Sequence, residues 1–291
     1  MAGHTPDIPL LSRNMQGAFR DSLKLVTSTS VYLAVNAQMV SVFSSLLYKV
    51  EIKPIILLIS FFLTLFVYNM NKITDTIEDT INQPEIILRG KRFYLLSSFT
   101  ALLLCMILSL MVGVSALIVV LTPLLASVAY SIKLSDSTPK LKEIVGIKSI
   151  VVAVSWGLTG ALLPACVQMI EPLKIILIFF FISVQLFINT ILCDIRDIEG
   201  DRVSGLRTIP IVLGLSKTRS LLLAVNSLIL PWVAYCYSNR LFLEYLPSFY
   251  FSLIYGYLII ALFSRKGQSR LSVELAVDGE WIPLVLLMRM I

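Results

Sequence analysis

Two runs of acidic residues carry the chemistry open to this sequence. The first reads NMNKITDTIEDTINQPE, and within it Asn71, Asp75 and Asp79 stand four residues apart. On a helix each step of four turns only about 40° around the axis, so the three oxygen-bearing side chains share a face. The second reads NTILCDIRDIEGDRVSGLRTIP, with Asp194, Asp197 and Asp201 at i, i+3 and i+7 and Asn189 eight residues before Asp197 on the same side. Each stripe follows the end of an apolar run. A carboxylate at a helix C-terminus opposes the macrodipole at about 0.3 to 1 kcal/mol, and like charges one turn apart add a few tenths more. One such stripe is commonly a solvated helix end. Together, however, the two loops hold eight of the 18 acidic residues, and this concentration of charge calls for a compensator. Hard oxygen ligands suit Mg2+, which binds through a few carboxylates, waters and substrate phosphates. Two stripes facing each other across a cavity could hold two Mg2+ around a diphosphate.

The elements that must position these stripes are membrane spans. Of 291 residues, 57% are apolar and only 14% charged, and the mean hydropathy is +0.87. An ordinary soluble domain has roughly 25% charged residues. Apolar runs predict an all-α, polytopic membrane protein of about nine transmembrane helices around a central cavity, at roughly 25–48, 54–70, 93–112, 114–131, 145–165, 172–193, 219–237, 246–263 and 275–291. Asp278, Glu280 and Pro283 interrupt the last of these. Residues 1–20 read as a polar N-terminal lead rather than a cleaved signal, and residues 1–291 as a single transmembrane domain. With nine spans, nineteen of the 24 basic residues fall on one face, which the positive-inside rule makes cytoplasmic. Both stripes lie on that face, in its longer loops, and point to a cell-membrane protein with a cytoplasmic site.

The net charge of +6 is thus an orientation signal and implies no nucleic-acid partner. Four cysteines without a CxxC pair imply neither a disulfide framework nor a zinc site. The only histidine is His4, which removes the usual player in Ser-His triads and histidine acid–base chemistry.

The stripes and their neighbours resemble the UbiA superfamily of intramembrane prenyltransferases, archaeal and bacterial type. That family has nine helices and two aspartate-rich motifs, roughly NxxxDxxxD and DxxDxxxD, after the second and sixth. Here they stand as Asn71–Asp75–Asp79 and Asp194–Asp197–Asp201. Asn82, Pro84 and Gly90 follow the first; Arg202, Gly205, Arg207, Thr208, Pro210 and Gly214 follow the second; Tyr130, Ser131 and Lys133 match the segment after the fourth helix. Two positions depart from the pattern: Lys72 stands where the family usually has Asp, and Ile87 where it usually has a phosphate-binding Arg.

The resemblance implies Mg2+-dependent transfer of a polyprenyl group from an allylic polyprenyl diphosphate to a lipid-soluble acceptor, expected to be aromatic, in quinone-like or lipid biosynthesis. It implies Asp75, Asp79, Asp197 and Asp201 as catalytic and, with Asp194 and Asn71, as ligands of two Mg2+. It implies Asn71, Lys133, Tyr130, Arg89, Lys91, Asp194, Arg202 and Asn189 as substrate-binding residues. Aromatic faces at Tyr32, Tyr68 or Phe179 to Phe181 could stabilise a carbocation. Two other readings stay open: a terpene cyclase using the same metal site, and a divalent-cation or anionic-lipid transporter. Transport is disfavoured because the acids cluster at one mouth and the confident spans carry no mid-membrane carboxylate.

Overall fold

In the computed structural model, the described residues are 30–74, 81–82, 90–131 and 144–291, side chains at 127–131 excepted. Every regular element among them is helical. The chain runs through α1 (Val31–Tyr48), α2 (Pro54–Thr74), α3 (Lys91–Val112), α4 (Val114–Ser131), α5 (Ile147–Ala165) and α6 (Pro172–Arg196). After these come the short α7 (Ile198–Val203), then α8 (Ile209–Ser227), α9 (Ile229–Ser238) and α10 (Leu246–Phe263). It ends in α11 (Arg270–Val273), a π-helical turn over Glu274–Asp278, and α12 (Trp281–Met290).

Local chemistry sets these boundaries. Lys49 in left-handed conformation stops α1, and the N–H groups of Lys49 and Val50 meet the carbonyls of Leu46 and Ser45. Proline opens α6 at Pro172, where the missing N–H costs nothing. The span expected over 219–237 is two helices. Pro231 has no N–H for the Ser227 carbonyl and its ring crowds that oxygen, so α8 gives way to α9 at Leu228. The last expected span is interrupted as the sequence indicated, with Asp278 in the π turn and Pro283 in the first turn of α12.

Seven helices among the described residues are long and apolar enough to cross a membrane, and α4 adds a shorter apolar stretch over Val114–Ala126. The helices close into a ring. From α1 to α6 each packs on the next; α6 then packs on α8, α8 on α10, α10 on α12, and α12 back on α1. Because α5 and α1 also meet, and α12 crosses to α1, the C-terminal ends of α2 and α6 are gathered at one end of the same bundle.

The core lies along α6, whose Ile178, Phe181, Ile182, Ile191 and Leu192 are fully buried. Phe181 stacks on Phe43 with centroids 5.3 Å apart and packs against Trp232 and Phe249 at 5.0 and 5.5 Å. Its ring is committed to packing, and Phe180 is 38% exposed. Between helices, polar side chains act as glue: Ser41 pairs with Ser60 at 2.6 Å, the Tyr48 hydroxyl donates to the Ala161 carbonyl at 2.9 Å, and Trp232 Nε1 donates to the Leu177 carbonyl at 3.0 Å.

Small residues let α5 sit close to α1 and α6. A methyl group on Gly160 would collide with the Val40 Cγ1 and touch Ile182 Cδ1 at 3.0 Å. Both neighbours are β-branched and stiff, so Gly160→Ala is expected to cost about 1 to 3 kcal/mol by overpacking. Thermal unfolding in detergent measures this, and an unchanged melting temperature would show that the contact is looser than described.

Candidate active site

The second acidic stripe is not a single straight face. Helix α6 ends at Arg196, and Asp197 leaves helical geometry at φ −96°, ψ 11° before α7 begins. The bend sorts the three carboxylates. Asp194 and Asp201 turn to the same cation: Lys148 Nζ at the start of α5 lies 2.9 Å from Asp194 Oδ1 and 3.7 Å from Asp201 Oδ2. Ser149 Oγ adds a hydrogen bond to Asp194 Oδ2 at 3.2 Å. Asp201 lies in the first turn of α7, so the dipole penalty expected at a helix C-terminus does not apply there.

Asp197 faces a different set of partners. Arg196 grips it with two parallel bonds, Nε to Oδ1 at 2.8 Å and Nη2 to Oδ2 at 2.6 Å, and Arg270 Nη1 lies 3.8 Å from Oδ1. Both arginines also meet Glu274, Arg270 at 2.6 Å and Arg196 at 3.8 Å. Burial pushes the Asp197 carboxyl up, but the guanidiniums of Arg196 and then Arg270 more than offset it and hold the group below the usual carboxylate range.

Asn82 connects the two acidic loops. Three residues beyond Asp79, it donates from Nδ2 to the Asp197 carbonyl at 3.4 Å and accepts from the Gly200 N–H at 3.2 Å. Its own carbonyl accepts from Arg270 Nη1 at 2.6 Å. The segment after the first stripe is therefore fastened to the turn that carries the second. Gly200 permits this, since a Cβ there would overlap the Asn82 amide.

Lys148 is the shared counter-ion of two carboxylates that are 2% and 4% exposed, while it is itself one-third exposed. Removing one partner of a buried ion pair costs about 3 to 5 kcal/mol, less where the cation is part-solvated. Lys148→Met is therefore expected to cost about 2 kcal/mol, and Asp194→Asn in that background to recover part of it. Thermal melts of the single and double variants measure both. Independent, additive losses would mean that the cation and Asp194 are not coupled.

The other expected site residues fall in three groups. Asp75, Asp79, Arg89 and Lys133 lie outside the described residues, as does the Tyr130 side chain at the end of α4. Asn71 at the end of α2, Lys91 at the start of α3 and Arg202 in α7 are exposed at that end of the bundle. Asn189 is buried deeper in α6, and its Nδ2 is taken by the Val277 carbonyl and Glu280 Oε1, both at 2.9 Å. Lys72, where the family pattern has Asp, lies over the Tyr94 ring at 5.4 Å.

Sequence reasoning did not single out Lys148, Arg270 or Glu274 for this site. The first two read as basic residues of the cytoplasmic loops, and no spacing joins positions 148, 196 and 270. Arg196 had a signal in its place inside the second motif.

Among the described residues, no group of three or more His, Cys, Asp or Glu side chains is arranged to hold a metal ion alone. Mg2+ takes one or two carboxylates and completes its shell with water and substrate phosphate. Asp194 and Asp201 share Lys148 while Asp197 faces Arg196 and Arg270, so the described carboxylates come as two sets, and Asp75 and Asp79 lie outside the described residues.

A family model described as the UbiA prenyltransferase family matches residues 49–273, which include both acidic stripes, Asn82 and Arg270. The chain belongs to the UbiA prenyltransferase family. As a UbiA member it is an integral, multi-pass membrane protein. It is 32% identical over 123 residues to a digeranylgeranylglyceryl phosphate synthase of Haloquadratum walsbyi, a match spanning 40% of this chain and 41% of that relative. In fold it is similar to a UbiA homolog from Archaeoglobus fulgidus bound to GPP and Mg2+, with a TM-score of 0.62, 16% identity, and 92% and 98% of the two chains covered. It is also similar to a structure concerned with digeranylgeranylglyceryl phosphate synthase in membranes, at a TM-score of 0.56 and 19% identity, covering 91% and 96%.

Proposed function

We propose that this UbiA-family protein transfers a polyprenyl group from an allylic polyprenyl diphosphate to a lipid-soluble acceptor, at the cytoplasmic side of the cell membrane. The observation that carries the reading is the Asn82 clamp: the loop after the first aspartate stripe is tied to the turn bearing the second. An acidic turn to which the segment following the first stripe is fastened through Asn82 suits a diphosphate bridged by metal. The A. fulgidus homologs bound to GPP or DMAPP with Mg2+ support the same class of ligands.

Asp75, Asp79, Asp197 and Asp201 would hold two Mg2+, with Asn71 and Asp194 beside them. The metal supplies neutralisation of the leaving diphosphate. Arg89, Lys91, Lys133 and Arg202, with Tyr130, would bind phosphate oxygens. With its charge balanced, the diphosphate leaves with the electron pair of the allylic C–O bond, and the acceptor attacks the resulting cation. For the acceptor, the name of the H. walsbyi relative supports a glycerol phosphate lipid with a free hydroxyl ahead of an aromatic ring.

The test is turnover by the purified protein in detergent, using geranylgeranyl diphosphate with either geranylgeranylglyceryl phosphate or 4-hydroxybenzoate. Product is expected with Mg2+ and a hydroxyl-bearing lipid, and is expected to fall to background in excess EDTA. Equal turnover in EDTA would remove the metal from the reaction. A cyclised hydrocarbon from the diphosphate alone would assign a cyclase instead.

A further inference from the structure

Near the turn that carries Asp197, the last helix is broken by its π turn, and the break is held from three sides. Three successive carbonyls each accept from a different element: Leu275 from the Tyr32 hydroxyl of α1 at 3.2 Å, Ala276 from the Tyr255 hydroxyl of α10 at 2.8 Å, and Val277 from Asn189 Nδ2 of α6 at 2.9 Å. Irregular backbone inside a membrane protein persists where side chains satisfy it, and π turns concentrate at functional positions. Three separate clamps fix the direction of whatever this turn presents.

The segment offers three carboxylates, and two are engaged. Glu274 is bonded by Arg270 and faces Arg196. Glu280 accepts from Asn189 at 2.9 Å. Asp278 is left with a weak donor, the Cys193 thiol at 3.7 Å, and remains half-buried where its two neighbours in acidity are buried. Cys193 precedes Asp194 directly, and four residues of helix place it about 6 Å along the axis from Asp197. Asp278 therefore lies beside the turn of α6 that carries Asp194, about one helical turn before Asp197. Beside it, Asn189 Oδ1 is buried without a hydrogen-bond partner among the described residues, an acceptor that lacks a donor.

We propose that Asp278 is the proton acceptor for the attacking hydroxyl of the acceptor lipid. This rests on the transfer reaction proposed above. In that step the allylic C–O bond breaks and its electron pair leaves with the diphosphate. A lone pair of the acceptor oxygen forms the new C–O bond, and the O–H proton passes to the Asp278 carboxylate. The sequence's single histidine, His4, lies outside the described residues. General-base assistance accounts for about 100- to 10,000-fold in rate, so the residue should be visible in kinetics.

The test separates ionisation from capture. Ionisation is read with geranylgeranyl diphosphate and Mg2+ by oxygen-isotope exchange between bridging and non-bridging positions; capture is read as kcat for transfer to geranylgeranylglyceryl phosphate. Asp278→Asn is expected to lower the transfer kcat by about 100-fold or more with little change in KM, while exchange continues. Transfer at the wild-type rate, or loss of exchange together with transfer, overturns the assignment. If the Asn variant does not fold, Asp278→Glu replaces it: a drop of about tenfold in transfer alone supports the proposal, and no drop or an equal drop in both overturns it. If the wild type neither exchanges nor transfers, the transfer reaction itself falls, which is a distinct result.

Discussion

Asp197→Asn is expected to lower prenyl transfer on the order of 1,000-fold while the protein remains inserted and folded. The substitution is isosteric and keeps an oxygen that can accept from Arg196, but it removes the charge that a divalent ion needs. That charge is balanced by a two-bond contact with Arg196 and by Arg270 at 3.8 Å. Binding Mg2+ at Asp197 therefore means competing with two guanidiniums, and these can turn to Glu274, already 2.6 and 3.8 Å from them. That exchange of partners makes the site sensitive to charge. Glu274→Gln is expected to weaken Mg2+ activation less than Asp197→Asn, because it acts only through the arginines. The measurement is the Mg2+ dependence of turnover for both variants, with melting temperatures as the folding control. Activity of Asp197→Asn within tenfold of wild type would remove Asp197 from the metal site.

The same pair has a pH signature with a defined sign. The folded-state pKa of Asp197 lies below its ordinary value, so its contribution to stability is present above the ordinary carboxylate range and is lost as pH falls through the depressed value. Wild type and Asp197→Asn should therefore converge in melting temperature in acid and separate toward neutrality.

The spans and the second aspartate stripe were legible because they are written locally. Apolar runs report membrane helices directly, and the predicted bounds at 54–70, 93–112, 172–193 and 246–263 fall inside or at the ends of α2, α3, α6 and α10. What could not be read is the pairing of the charges. Helical spacing placed Asp194, Asp197 and Asp201 on one face, yet the break at Asp197 sends it to Arg196 and Arg270 while Lys148 collects the other two. That outcome depends on α5 and α11 being brought to the tip of α6 by ring closure, a long-range fact with no local signature. Asn189 illustrates the same limit. Its position beside the stripe suggests substrate contact, and no local pattern shows that its amide nitrogen also holds the π turn of the last helix, 88 residues away in sequence. Asp278 and Glu280 looked like defects in a ninth span because hydropathy penalises them, whereas the fold uses that interruption to carry polar groups inward.

Gly200→Ala is expected to be the second large loss, about 100-fold in transfer, although glycine has no side chain to contribute to chemistry. Its φ is not left-handed, so conformational freedom is not the reason for it; the reason is the Asn82 amide, which a Cβ at this position would overlap. Relieving the overlap means moving Asn82 away, and with it go the bonds to the Asp197 carbonyl and to the Gly200 N–H. The first stripe then loses its tie to the second, and a displacement of about 1 Å between groups that share one diphosphate is enough for such a loss. If that is the mechanism, the two positions are coupled. Asn82→Ala alone should also reduce activity, because it cuts the tie, but it opens the space into which the new methyl group fits. Adding Gly200→Ala in that background should then cost no more than about threefold, where it costs about 100-fold in wild type. The double-mutant cycle reads the coupling directly from kcat/KM, with melting temperatures to exclude a general loss of structure. Equal losses from Gly200→Ala in both backgrounds would mean that Gly200 serves α7 alone and that the two acidic loops are not held together through Asn82.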